Sequence, residues 1–429
     1  MSPVVDLVKV APGARKADGR NVDDDPPTVV VDEYKAVEVP LERDTAERIR
    51  RIVGRRLTVR PTDCPGHWRI EAGSHVGTVV APGLRLLVRP KVRAANLFHL
   101  LGVEGAGVRF ERAAFDYARS PDLLPAVGGF YQRALEATLA RGLTRRYLEQ
   151  EERLSAVRGR IDVAAQMRRP GLPIPIACRF DEHSADTPLN RIVREAALRL
   201  MRLPGVPSDT RRGLASMVVQ LDEVGAFRES DRARPITLTR LDEHYRHSLR
   251  LAEVVLDATS IRNDPADSSG AAASAFLVNM NTLYERFVEQ GLRRALRGHL
   301  DVDGQRTINL DVDQKVRIRP DLVFRRGTRD VFVGDAKYKL ADSGVGRDAD
   351  YYQLLAYTTA LDVAEGVLVY CHAGDAPLAG EVVVRYAGKR LWTRCISLAG
   401  APEEVDAELD DVGAWILEKA TGRSRMAGV

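Results

Sequence analysis

Two carboxylates and a lysine fall close together in residues 318–340, IRPDLVFRRGTRDVFVGDAKYKL, where Asp321 opens one apolar run and Asp335 and Lys337 close the next. Residues two apart on a strand share a face, so Val331, Val333, Asp335 and Lys337 point one way and that face turns from apolar to charged at its end. Asp321 joins them if the hairpin pairs position 321 with 335. Gly327-Thr328-Arg329 predicts the three-residue loop that such pairing needs, with Gly327 available for a positive φ. A register one residue off sends Asp321 to the opposite face.

Two carboxylates and an ammonium at one end of a sheet suit a hard divalent cation. Mg²⁺ takes oxygen ligands, keeps several waters and binds phosphates. The metal polarises a phosphoryl oxygen and lowers the pKa of an attacking water, while a lysine positions or deprotonates that water and offsets developing negative charge. A compact ammonium can lose a proton when its pKa is depressed, whereas guanidinium stays charged. Only nine of the 64 basic residues are lysines, so a lysine at this position is informative. The same residues also fit an exposed same-face ion pair worth under ~1 kcal/mol. Glu285, in NTLYERFVEQGL, sits at the edge of a helical apolar stripe of Met280, Leu283, Tyr284, Phe287 and Leu292, within reach of a metal or its water, and equally suited to a solvated flank. Gln353 and Tyr357 stand at i and i+4 in DADYYQLLAYTTAL, placed to contact DNA or the lysine end of the site, with core packing the competing role for Tyr357.

The elements that must position these residues follow from pattern. At 429 residues, 45% apolar and 29% charged with net charge +4, the chain has the composition of a multidomain globular protein. No apolar run reaches membrane-span length and no signal-peptide pattern is present, so a cytoplasmic location is expected. Residues 1–27 are charged and aperiodic and read as a disordered tail. Residues 28–118 alternate in short apolar runs broken by Gly and Pro, a β-rich domain with helices at 41–54 and 94–102. Residues 119–262 read as mostly helical, with Phe130, Leu135, Leu139, Leu143 and Tyr147 at near-helical spacing. This segment carries Arg145, Arg146, Arg158 and Arg160 in an arginine-rich run from 141 to 169, interspersed with glutamates. The run fits either a phosphate-contacting surface or a solvated helix face. Residues 263–275 read as a linker. Residues 276–429 read as an α/β domain with a central mixed sheet: helix 276–297, a strand near 306–310, the hairpin, helix 348–363, three strands and a last helix. Four scattered cysteines give no zinc pattern, and Cys64 with His67 lacks a second pair. No GxxxxGK[ST] motif occurs, so no nucleotide-binding residues are assigned, and GVEGAG at 102–107 reads as a turn.

RPD, thirteen residues, then DAKYK resembles the PD-(D/E)xK nuclease superfamily, and YYQLLAY is similar to the QxxxY element of several of its branches. LLPAVGGFYQRALEATLARGLTRRYLEQEERLSAVRGRIDV, CRFDEHSADTPLNRIVREAALRLM and VGTVVAPGLRLLVRPKV resemble the McrC family, the nuclease subunits of McrBC modification-dependent restriction systems. The resemblance runs from about residue 30 to about 400. It implies a Mg²⁺-dependent DNA endonuclease with a PD-(D/E)xK domain, acting on double-stranded DNA with an McrB-like AAA+ GTPase ring that recognises modified cytosine. Asp321 and Asp335 would be metal ligands, Lys337 the catalytic lysine and Glu285 a fourth member. The N-terminal and middle parts would engage the ring and stimulate its GTPase, and two nuclease domains are expected to meet on DNA to cut both strands. A stand-alone or repair-type nuclease and a non-catalytic activator or scaffold are the competing readings.

Overall fold

The computed structural model describes residues 27–102, 117, 122–168, 174–233, 236–262, 273–340, 348–372 and 379–422. The expected tail, most of the expected linker, Arg169 and residues 103–107 of GVEGAG lie outside the described residues. The chain is a mixed α/β protein of two compact units, one within Asn21–Asp122 and Arg262–Val429, the other within Leu123–Ile261.

In chain order the elements are β1 (Thr28–Asp32), β2 (Ala36–Pro40), α1 (Arg43–Val53), β3 (Leu57–Pro61), β4 (His67–Ala72), β5 (His75–Ala81), β6 (Leu84–Arg89) and α2 (Ala94–Leu100). Then come α3 (Leu123–Leu139), β7 (Arg146–Leu154), β8 (Arg160–Ile161), α4 (Val163–Met167), β9 (Ile176–Ser184), α5 (Pro188–Arg202), α6 (Ser208–Val219), α7 (Arg246–Ala258) and β10 (Thr259–Arg262). Next are β11 (Ala273–Asn279), α8 (Met280–Ala295), β12 (Asp301–Gly304), β13 (Ile308–Asn309), β14 (Arg317–Ile318), β15 (Leu322–Arg326) and β16 (Arg329–Leu340). The last are α9 (Asp348–Ala360), β17 (Glu365–His372), β18 (Ala379–Val383), β19 (Arg390–Ser397) and α10 (Pro402–Thr421).

In the first unit, strict alternation makes β4: Trp68, Ile70 and Ala72 are buried, His67, Arg69 and Glu71 exposed, and the strand pairs antiparallel with β2 and β3. A second sheet runs β1, β6, β5, β11. Ala273–Ala275, expected in the linker, instead open β11, and Ala273, Ala275 and Leu277 are buried in one core with Val29, Ile49 and Ile70. The N-terminal strands and the start of the C-terminal segment therefore share a core. Gly77 permits this pairing: it has φ +138°, and a Cβ there would come within 2.1 Å of the Phe276 carbonyl oxygen on β11.

The central sheet of the C-terminal segment runs β12-β15-β16-β17-β19-β18, with β16, β17 and β19 parallel and the outer pairs antiparallel. The expected mixed sheet is present, but its edge strand is Asp301–Gly304; near 306–310 only Ile308 and Asn309 pair, in a small ladder with β14. Helix α9 covers one face over Val323, Val333, Leu354, Leu368 and Leu391. Helices α8 and α10 cover the other, where Trp415 meets Phe332 and Trp392 edge-on.

The second unit packs α3, α5, α6 and α7 together. Asn190 holds the bundle by donating to the Thr144 and Ala185 carbonyls and accepting from the Tyr245 hydroxyl at 2.7 Å. The helical spacing expected through Leu143 and Tyr147 stops at Leu139. Gly142, with φ +88°, turns the chain, and Tyr147 lies in β7, which pairs with β9 over nine residues. Of the arginine-rich run, Arg146, Arg153 and Arg160 lie in the strands of a three-stranded ribbon, β7-β9-β8, and none of its described arginines lies in a helix.

Candidate active site

The β15–β16 hairpin turns through two residues, Gly327 and Thr328, between paired Arg326 and Arg329. The three-residue loop expected from the sequence is therefore not formed. Gly327 takes φ +63° and Thr328 keeps a negative φ, the pattern of a turn with glycine first. With that turn alone, position 321 would face 334. A bulge corrects the parity: Phe324 pairs with Phe332 and Arg325 with Asp330, leaving Val331 as the extra residue. Below the bulge Val323 faces Val333 and Leu322 faces Gly334, so the continuing register sets Asp321 opposite Asp335.

The two carboxyls meet where the sheet is covered. Asp335 is 1% exposed, and Asp321 accepts the Ala336 N–H at 3.1 Å, an anchor one residue beyond its partner. Burial, then the charges of Asp335 and Glu285, push the Asp321 carboxyl well above the usual carboxylate range. Glu285, half-buried on α8, is raised for the same reasons, burial first and then Asp335, which places it in the field of the pair. Lys337 ion-pairs with Asp335 Oδ2, yet that buried oxygen completes no hydrogen bond. Burial alone would depress the Lys337 ammonium, but the Asp335 and Asp321 carboxylates outweigh it and hold its pKa above the ordinary value. A depressed lysine, allowed for by the sequence, is not what this environment produces.

A hydrogen-bonded chain fixes the lysine. Lys337 Nζ donates to Gln353 Oε1 at 3.0 Å, Gln353 Nε2 to the Tyr357 hydroxyl at 2.6 Å, and that hydroxyl to the Arg319 carbonyl at 3.1 Å, two residues before Asp321. Tyr357 is 3% exposed and also packs in the α9 core, so it serves both roles weighed for it. Sequence reasoning missed a second layer. Lys339, sharing a face with Lys337, donates to both oxygens of Asp350 at 2.9 and 3.0 Å, and the Tyr370 hydroxyl donates to Asp350 at 2.7 Å. This clamp ties the first turn of α9, and thereby Gln353, to the sheet. A carboxylate leading the α9 helix and a lysine two residues past Lys337 were the available signal.

An oxygen-seeking divalent cation fits this donor set. Half-buried Asp321 and buried Asp335 set their carboxyls against each other, and Asp335 Oδ2, ion-paired with Lys337, completes no hydrogen bond. Among the described residues no group of three His, Cys, Asp or Glu stands at metal-holding distances, so the set is two carboxylates with Glu285 outside it. That matches Mg²⁺, which binds through one or two carboxylates and keeps waters.

The candidate phosphate-contacting arginines are elsewhere, in the second unit. Arg145 pairs with Glu223 at 2.8 Å and Arg146 with buried Asp242 at 2.8 Å. Arg158 lies 3.4 Å from Glu182 and 4.0 Å above the Phe180 ring, and Arg160 is exposed on β8. Three of the four are thus committed to carboxylates, which lessens their fit to phosphate.

Residues 70–371, more than half of the chain, match the family described as McrBC 5-methylcytosine restriction system component. The chain belongs to this family. Among solved structures, this McrBC family member is similar to a chain in the refined half-complex from the tetradecameric assembly of Thermococcus gammatolerans McrB AAA+ hexamers with bound McrC. The identity there is 18% and the TM-score 0.48, over 90% of this chain and 100% of that one. It is also similar to a chain in the cryo-EM structure of the Thermococcus gammatolerans McrBC complex, at 20% identity and TM-score 0.39, over 63% of this chain and 89% of that one. No curated protein matches. No helix among the described residues is long and apolar enough to cross a membrane.

Proposed function

We propose that this McrBC family member is a McrC-type nuclease subunit. In this reading it is a Mg²⁺-dependent endonuclease with a PD-(D/E)xK domain, cutting double-stranded DNA that carries modified cytosine, with a separate AAA+ GTPase ring whose activity it stimulates. The observation that carries the reading is the pairing of half-buried Asp321 with buried Asp335, brought into register by the bulge at Val331 and faced by Lys337.

In this mechanism Asp321 and Asp335 hold the cation, which when bound polarises the scissile phosphoryl group and acidifies the attacking water. Lys337 acts as an ammonium. Held cationic by its carboxylate neighbours and aimed by Gln353, it orients the nucleophile and offsets charge developing on the phosphorus oxygens. Glu285, its carboxyl raised by burial and Asp335, is placed to take or hold a proton from water at the edge of the site.

These 429 residues contain no phosphate-loop motif, so any nucleotide hydrolysis is assigned to another polypeptide or to none. The name of one solved neighbour pairs McrC with McrB AAA+ hexamers, and the partner proposed here is of that kind. The surface that suits such a ring is the β7-β9-β8 ribbon. Almost all described side chains of β7 are exposed or half-exposed, and Tyr147, Val157, Val163 and Met167 are 74, 54, 63 and 80% exposed. Cutting both strands calls for two copies of the nuclease domain on one DNA.

The test is cleavage of methylated DNA by the complex with ring, GTP and Mg²⁺. Asp335→Ala is expected to abolish cutting while leaving ring binding and GTPase stimulation intact; undiminished cutting overturns the assignment. Cutting by this chain with Mg²⁺ alone would instead favour the stand-alone nuclease.

A further inference from the structure

Away from the carboxylate cluster, the first unit holds a cavity of about 200 Å³. One wall is made by Tyr338 near the end of β16, Cys371 and His372 at the end of β17, and Leu398 just past β19. These three strands are parallel, so the cavity sits at their carboxyl edge, the place where open α/β sheets take ligands. Tyr338 alternates with Lys337 and packs toward Tyr284 on the α8 face, with ring centroids 6.0 Å apart. The cavity is therefore a different place from the proposed metal site.

The opposite wall comes from Tyr34 and the segment Lys91–Arg93. Lys91 Nζ lies 4.6 Å from the Tyr34 ring centroid, and Lys91 and Arg93 are both exposed. Among the described residues, neither cation is recorded in an ion pair. Their neighbours behave otherwise: Arg85 pairs with Asp122, and Arg89 with Asp32 at 2.6 Å. Behind the wall, fully buried Glu33 accepts the Lys91 N–H at 3.2 Å and the Tyr338 hydroxyl at 3.1 Å, joining both sides through one carboxyl. Burial pushes that carboxyl up to about 7, which weakens its negative charge beside Lys91.

We propose that this cavity binds a phosphomonoester of about single-nucleotide size, with its phosphate between Lys91 and Arg93 and its body against Val92, Tyr338 and Leu398. A phosphate dianion matches two unpaired cations, one a bidentate fork and one a point charge, better than a single carboxylate does. The volume lies below that of drug-sized pockets, in keeping with a small ligand. A free nucleotide and the phosphorylated end of a DNA strand share this chemistry.

The test is calorimetric titration of the full chain in EDTA with thymidine 5′-monophosphate, thymidine and inorganic phosphate. Thymidine monophosphate is expected to bind with a Kd of about 1 mM or tighter, and thymidine at least about tenfold more weakly. The exposed double substitution Lys91→Ala/Arg93→Ala should weaken the monophosphate by at least about tenfold without lowering the melting temperature. Asp335→Ala should bind it like the wild type. Displacement of the nucleotide by a short 5′-phosphorylated oligonucleotide, or its failure, assigns the source to a DNA end or to free nucleotide. No binding to the wild type, equal binding by the double variant, or loss of binding in Asp335→Ala overturns the proposal.

Discussion

At the β15–β16 hairpin, the Asp335 side chain is 1% exposed and its partner Lys337 18% exposed. In the β7-β9-β8 ribbon and the turn leading into it, the pairs Arg145–Glu223, Arg158–Glu182 and Arg179–Glu151 have side chains 37 to 64% exposed. Both regions set acids against bases, and the physics differs. Around these three ribbon pairs water screens the attraction to ~0–1 kcal/mol. In the hairpin, burial raises one carboxyl, leaves an oxygen of the other without a hydrogen bond and holds a lysine cationic. A charged residue becomes chemically useful where the fold removes its water.

Asp321→Ala should break this contrast most severely: with one of the two opposed carboxylates gone, cleavage by the complex should fall to background, at least about 10³-fold. Arg158→Ala on the ribbon should leave cleavage within about twofold in the same assay. Lys337→Met is expected to lower kcat by about 10²- to 10³-fold with little change in DNA binding by gel shift. Asp350→Asn removes the clamp on α9. Cleavage should drop about tenfold or more as Gln353 loses its anchor, and thermal unfolding should register a loss of roughly 1–3 kcal/mol.

The first unit also carries a pH signature. Glu33 has a folded pKa of about 7, above its unfolded value of 4.5, so its contribution is fully present below 4.5 and is lost as pH rises through about 7. Melting temperatures measured from pH 5 to 8 should fall with rising pH in the wild type, and Glu33→Gln should flatten that slope. The smallest effect on stability is expected for Tyr147→Asp with Met167→Asp, within about 0.5 kcal/mol, since both side chains are exposed; ring capture by the same variant should weaken by at least about tenfold.

Much of the hairpin site was legible because its residues are close in sequence: alternation put Asp335 and Lys337 on one face, and helical spacing put Gln353 over Tyr357. The bulge was not, since the choice between a three-residue loop and a two-residue turn with Val331 expelled depends on how Phe324 and Phe332 pack, with ring centroids 6.0 Å apart. The Lys339–Asp350–Tyr370 clamp joins three elements, so its local signals, a carboxylate leading α9 and a lysine two past Lys337, did not by themselves show that they meet. Strand β7 was misread as helix for a related reason. With nearly all its described side chains exposed, it has no buried face to impose a period of two.

The proposed divalent-cation site of Asp321 and Asp335 can be checked by Mn²⁺ binding to the full chain, followed by electron paramagnetic resonance. The wild type is expected to bind Mn²⁺ competitively with Mg²⁺, and Asp321→Asn and Asp335→Asn should each lose that binding while remaining folded. Wild-type protein that takes up no ion, or asparagine variants that bind it undiminished, would contradict the claim.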